Sequence, residues 1–189
     1  MELSITRRIS GEALDLVLLC YYSDKEDREL VILNFLRFGF KIGSSVTDML
    51  ANDAVRTITK VAQTVSRESV YFMEFLRFSD YNGTLVAVIE PKSFVLPMIS
   101  DHFCDRFPCE QFLIYDKSHN FAFIHINEGN HLIQLAHLEL PEPWEKEEGF
   151  RALWKQFYNT IAVEGRINHK LRMGNMPKRY WTHMTEFLP

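Results

Sequence analysis

Cysteine is scarce in this chain, and what there is does not pair. Cys20, Cys104 and Cys109 are odd in number and lack a CxxC spacing, which excludes a disulfide scaffold and paired-cysteine zinc motifs and leaves free thiols of a reducing cytoplasm. Long apolar runs are missing too. No stretch approaches the ~20 residues needed to span a bilayer, and the polar start ELSITRR is no secretory leader. A basic excess is also lacking: the formal net charge is −4, so any nucleic-acid contact has to be confined to a patch. Finally, there is no phosphate-cradling glycine loop, dinucleotide fingerprint, nucleophile elbow or radical-SAM cysteine triad. That speaks against the common cofactor enzymes, and no cofactor and no metal are expected.

Aromatic residues, by contrast, are plentiful. Fifteen phenylalanines and 47% hydrophobic content in 189 residues exclude disorder and suit one globular domain over residues 1–189. Leu14, Val17, Leu18 and Tyr21 share a helical face behind Ser10 as a cap. Ser23-x-x-Glu26 reads as a capping box opening a second helix, apolar enough for deep burial, with Gly39 to end it. Asn52 caps a third helix that buries Val55, Ile58, Ala62 and Val65.

The period then changes. The runs 74–78 and 84–90 flank Asp80-Tyr81-Asn82-Gly83 and predict a hairpin. A helix begins at Pro97 and stops at Pro108, with Ile99, Phe103 and Phe107 on one face. The runs 111–115 and 121–126 predict a second hairpin, and 131–138 offers a further strand. The expected class is α+β: N-terminal helices, a central antiparallel sheet in ββαββ order, and a C-terminal helical segment. The acidic stretch 139–149, with five glutamates and two prolines, is the candidate subdomain boundary.

The C-terminal segment 150–186 holds seven basic residues against two acidic ones, so the rest of the chain is more acidic than the total. Among these charges stand Trp154, Phe157, Tyr158, Tyr180 and Trp181. Cations interleaved with flat apolar rings suit phosphates and stacked bases; equally, the rings could be core and the charges a solvated face. Arg166 and Asn168 follow a helix end, and Lys178 and Arg179 precede Tyr180 and Trp181; such groups suit phosphate or base-edge contacts, though Arg166 could also simply satisfy terminal carbonyls. Arg77, between Leu76 and Phe78 in an expected strand, must face solvent, a partner or a ligand: with aromatic neighbours it forms a nucleic-acid platform, or else it pairs with an acidic group beneath the closing helix. On the helix after Pro97, Asp101, His102, Asp105 and Arg106 form a polar face. Asp101 and His102 are the one acid–base pair worth testing, against the commoner reading of a salt-bridged helix face. His125, His131 and His137 match no zinc spacing.

Several patches recur in order: Leu153-Trp154-Lys155 with Phe157-Tyr158, Glu164-x-Arg166-x-Asn168, and Met176-Pro177-Lys178-Arg179-Tyr180-Trp181 with Glu186. Phe75-Leu76-Arg77-Phe78, Glu90-Pro91, Asp101-His102-Phe103, Asp105-Arg106-Phe107 and Ile114-Tyr115-Asp116 join them. Over about residues 66–186 the chain resembles a bacterial family of DNA-metabolism and DNA-repair proteins, whose defining domain is one of unknown function. The resemblance implies DNA as a partner and pairing with a radical-SAM protein that carries a helix-hairpin-helix motif. Three readings follow: a nucleic-acid-binding accessory using Arg77, Arg106, Arg166, Asn168, Lys178, Arg179, Tyr180 and Trp181; an enzyme acting on a base or backbone through Asp101 and His102; and a module whose basic segment docks on a partner protein.

Overall fold

Ser10 opens a helix as its position requires: its Oγ accepts the N–H of Ala13 at 3.1 Å, satisfying one of the amides that a helix start leaves over. The computed structural model describes residues 2–139, 149, 152–154, 156 and 169–184, in two units. One comprises Met1–Ser69 with Lys92–Val95, the other Val70–Pro91 with Leu96–Pro189.

The first unit is helical: α1 (Glu2–Arg8), α2 (Gly11–Tyr21), α3 (Arg28–Ile42), a 3₁₀ turn at Ser44–Asp48, and the start of α4 (Asp53–Phe75). Asn52 caps α4, its Oδ1 accepting the Ala54 N–H at 2.9 Å. Val55, Ile58, Ala62 and Val65 are buried, as their spacing predicts, and pack in a unit that also buries Ile5, Val17, Phe35 and Val46. Three local expectations fail. Ser23 does not cap a helix; its hydroxyl donates to the Cys20 carbonyl at 2.6 Å, and its own carbonyl takes the Arg28 guanidinium at 2.8 Å. It closes α2 instead, and α3 starts later. Gly39 does not end α3, which runs on to Gly43 at φ 83°. Nor is α3 buried all round, since Leu30 and Leu33 are exposed.

The second unit is built on a five-stranded sheet in the order β1 (Ser79–Tyr81), β2 (Thr84–Ile89), β3 (Gln111–Asp116), β4 (Phe121–Ile126), β5 (Gly129–Gln134). The second expected hairpin forms; the first keeps its expected turn and second strand, but its first strand is Ser79–Tyr81 and not 74–78. Asn82 and Gly83 take φ of 55° and 88° between β1 and β2, the positive values that a two-residue hairpin turn demands. Between β3 and β4 the Asp116 carboxylate accepts the N–H groups of Ser118 and His119 at 3.0 and 3.1 Å.

The α+β class stands, but the antiparallel ββαββ order does not. Elements run ββαβββ, with α5 (Leu96–Arg106) as the helix, and β2 pairs parallel with β3 from Thr84↔Gln111 to Ile89↔Asp116. Residues 90–110 with their helix make the kind of long crossover that a parallel pair requires. The parallel pair is central and deeply packed, with Val86, Ala87, Ile89, Phe112, Ile114 and Tyr115 buried; β5 at the edge is exposed from Asn130 to Gln134. Arg77 is in no strand either. Helix α4 absorbs 74 and 75, and residues 76–78 lead into β1 without strand pairing. The boundary expected at 139–149 lies outside the described residues except for its two ends.

Candidate functional site

The end of α4 determines where Arg77 goes. Its last turn closes with the Leu76 N–H on the Phe72 carbonyl at 3.0 Å, after which Phe78 inserts its ring edge-on among Phe103, Phe107 and Phe112, with centroids 5.3, 5.3 and 5.8 Å away. Phe103 and Phe107 come from α5 and its C-terminal flank, Phe112 from β3, so the aromatic cluster ties crossover to sheet. A groove of about 360 Å³ opens over it, lined by Arg77, Phe103, Arg106, Phe107 and Trp154, with Glu74 also on its wall. The Arg77 guanidinium carbon lies 5.3 Å from the Trp154 ring centroid and that of Arg106 lies 5.6 Å from Phe107. Both are within cation–π range. Trp154 remains 39% exposed.

A second, smaller cavity adjoins Arg77. It measures about 20 Å³ and is lined by Arg77, Glu90, Met176, Arg179 and Tyr180 among others, which is room for about one water. Part of its wall, Arg179 and Tyr180, comes from the 3₁₀ stretch Lys178–His183, which follows Pro177. Tyr180 is 4% exposed and packs edge-on against Phe72 at 5.1 Å. Arg179 donates to the Tyr180 hydroxyl and lies over its ring at 4.5 Å. The Trp181 indole N–H donates to the Met176 carbonyl at 3.0 Å.

Of the residues singled out from sequence, then, Arg77 and Arg106 share one groove, and Arg77 and Arg179 share the adjoining cavity. Lys178 and Arg179 are exposed, Trp181 is half-buried, and Tyr180 belongs to the core. Arg166 and Asn168 lie outside the described residues. Asp101 and His102 are exposed on α5; the His102 ring sits edge-on to Phe103 at 5.0 Å, and neither residue lines either cavity.

Three polar arrangements went unread in the sequence. Glu68 is buried, and its two carboxylate oxygens accept the N–H groups of Lys92 and Ser93 at 2.8 and 2.9 Å. Asp116, fully buried, also takes His119 Nδ1 at 2.7 Å. Cys104 Sγ stands 3.6 Å from His125 Nδ1, which is itself 2.6 Å from Asn130 Oδ1. One ring nitrogen serves both contacts, so this is no proton relay of the Cys–His–Asn kind. Burial, and next the charge of Asp101, push the Cys104 thiol up from its ordinary value, away from the thiolate that nucleophilic chemistry needs. Among the described residues, no three His, Cys, Asp or Glu side chains are grouped to hold a metal ion, and no helix is long and apolar enough to cross a membrane.

No curated protein and no solved structure matches the chain. A family match does extend over residues 26–186, taking in the groove and both arginines that face it. The chain therefore belongs to the family described as a domain of unknown function, DUF4130.

Proposed function

We propose that this protein is a cytoplasmic DNA-binding accessory of DNA metabolism or repair, working beside a separate enzyme. One observation carries the reading: Arg77, just after α4, and Arg106, at the end of α5, line one aromatic-walled groove with Trp154. Guanidinium groups recognise phosphate oxygens, and open aromatic surface holds unpaired bases. Lys178 and Arg179, both exposed, belong to the proposed surface; Arg179 lines the cavity beside Arg77 and is bonded to the core residue Tyr180. Repair as the process, and a radical-SAM protein as the enzyme, rest on the resemblance of the sequence motifs alone. Arg166 and Asn168 belong to the same proposed surface on sequence grounds. No observation favours acid–base chemistry at Asp101 and His102.

The test is titration of labelled single- and double-stranded DNA at two salt concentrations, beside a Lys178→Glu/Arg179→Glu variant. Binding should weaken with salt, and the variant should lose affinity and flatten the salt dependence by about one unit of slope per lost phosphate contact. Unchanged affinity in the variant would remove this surface. If no DNA binds at low salt, the basic segment is left to dock on a protein partner.

A further inference from the structure

Resting on that reading, we infer that the groove between Arg77, Arg106 and Trp154 seats a single unpaired nucleotide, so that the protein prefers single-stranded over duplex DNA. Size sets the class of ligand. A volume of about 360 Å³ falls at the lower end of the ~300–1,000 Å³ typical of small-ligand sites. A base still stacked and paired in a duplex cannot enter a recess of this kind; an unstacked one can. The lining sets the chemistry. Trp154 is held by the Arg77 guanidinium at 5.3 Å, which orients its ring while leaving 39% of the residue exposed. Phe107 offers a second ring, itself fixed against Phe78 and Phe112 at 5.3 and 6.3 Å. Stacking on such preset rings is tolerant of sequence because every base has a flat face.

Charge complementarity chooses the rest of the ligand. Arg106, exposed at the α5 end with its guanidinium 5.6 Å from the Phe107 ring, supplies a cation for the phosphate beside that ring, and Arg77 adds a second. The exposed Glu74 on the α4 wall is an acceptor suited to an exocyclic amino group rather than to phosphate. Cations beside stacking surface, with one carboxylate at the wall, match a nucleotide better than a plain anion or a plain hydrophobe.

The experiment uses the full chain and a thymidine oligonucleotide carrying one 2-aminopurine, whose fluorescence falls when it stacks. Binding should quench the probe in the single strand and not in the matching duplex. Trp154→Ala should weaken single-strand binding about tenfold and abolish the quenching. Trp154→Phe, which keeps a flat ring, should retain both in large part, and Arg106→Gln should lower the salt slope by about one. Far-ultraviolet circular dichroism checks that each variant is folded. If the duplex binds as tightly as the single strand and Trp154→Ala changes nothing, the nucleotide seat is overturned while a Lys178/Arg179 contact surface still stands. Equal losses in both Trp154 variants would show that stacking is not the cause and would also overturn it. Tighter binding of a phosphotyrosine peptide than of the oligonucleotide would replace the nucleotide by a peptide. Absence of any DNA binding at low salt removes this inference together with the reading beneath it.

Discussion

Glu68 and Ser93, 25 positions apart in the chain, meet through a carboxylate oxygen and a backbone N–H at 2.9 Å. The other oxygen takes the Lys92 N–H at 2.8 Å. Helix α4 thereby fixes the loop that leads from β2 towards α5, inside the first unit. A buried carboxylate holding two amides is replaceable by neither a methyl nor an amide. Glu68→Ala strands both donors and should cost about 3 kcal/mol, and Glu68→Gln, which turns an NH₂ towards one of them, about 2 kcal/mol. Urea denaturation of both variants measures this. A loss under about 0.5 kcal/mol in each would mean that the loop is held by something else.

Gly39 stands in the last turn of α3, where Ile9 occupies the space beside it: a methyl added there would stand 2.9 Å from Ile9 Cδ1. In an open helix, Gly→Ala gains about 1 kcal/mol. Here overpacking outweighs that gain, since Ile9 is buried and must give way, so Gly39→Ala should destabilise by about 1 kcal/mol. In an Ile9→Val background the clashing methyl is gone, and the same substitution should become neutral or stabilising. The double-mutant cycle, read by thermal melting, decides; equal effects in both backgrounds would show that Ile9 is not the reason for the glycine.

These two sites show which parts of the fold were legible in the sequence. The Asn82-Gly83 hairpin was readable because its turn chemistry is local, and so was the stripe from Val55 to Val65, because helical spacing is local. Gly39 was misread because its reason lies on α1's flank, not in α3. The parallel pairing of β2 with β3 left no local trace; each hairpin's turn was visible, though the first strand was placed at 74–78 and not at Ser79–Tyr81, and the mutual direction of the hairpins depends on a crossover far longer than either turn. Glu68 did leave one. It follows Val65 by three and precedes Phe72 by four, a charge in an apolar stripe, which calls for a buried partner. At the candidate site, charge identity was legible in Arg77 and Arg106, but their meeting in one groove is a tertiary fact. Tyr180, which the sequence left open between a stacking ring and a core residue, proves buried: composition does not say which side of a 3₁₀ turn faces in.

The three thiols should separate cleanly in reactivity. Cys109 is exposed, Cys104 half-buried and Cys20 fully buried. Desolvation raises Cys104 and pushes Cys20 up to about 11 from 9.0, against the lesser opposing influence of Lys25. Iodoacetamide at pH 8 should label Cys109 first, Cys104 slowly and Cys20 only after denaturation; peptide mapping by mass spectrometry reads the order. Stability carries the same signature. The folded state keeps the Cys20 proton where the unfolded chain has lost it. This contribution is therefore whole below pH 9 and falls by up to about 1.4 kcal/mol per pH unit towards pH 11. Cys20→Ala should remove that part of the slope, and identical slopes for wild type and variant between pH 9 and 11 would contradict it.

Tyr180 offers a way to tell a core ring from a stacking platform. Its burial against Phe72 means that Tyr180→Ala should cost about 3–5 kcal/mol in unfolding free energy. Tyr180→Phe keeps the ring in place and removes only the hydroxyl that accepts from Arg179, so it should cost about 1 kcal/mol. Arg179 then loses this one hydrogen bond but keeps its charge and its place over the ring. An exposed cation of this sort depends little on one such contact, so the affinity of Tyr180→Phe for single-stranded DNA should stay within about threefold of wild type, well short of the loss expected for Lys178→Glu/Arg179→Glu. A folded Tyr180→Phe protein that binds DNA as poorly as the charge-reversal variant would show that positioning of Arg179 by the hydroxyl, rather than positive charge on the surface, governs the contact. An Ala variant as stable as wild type would move Tyr180 out of the core and return it to the list of surface rings.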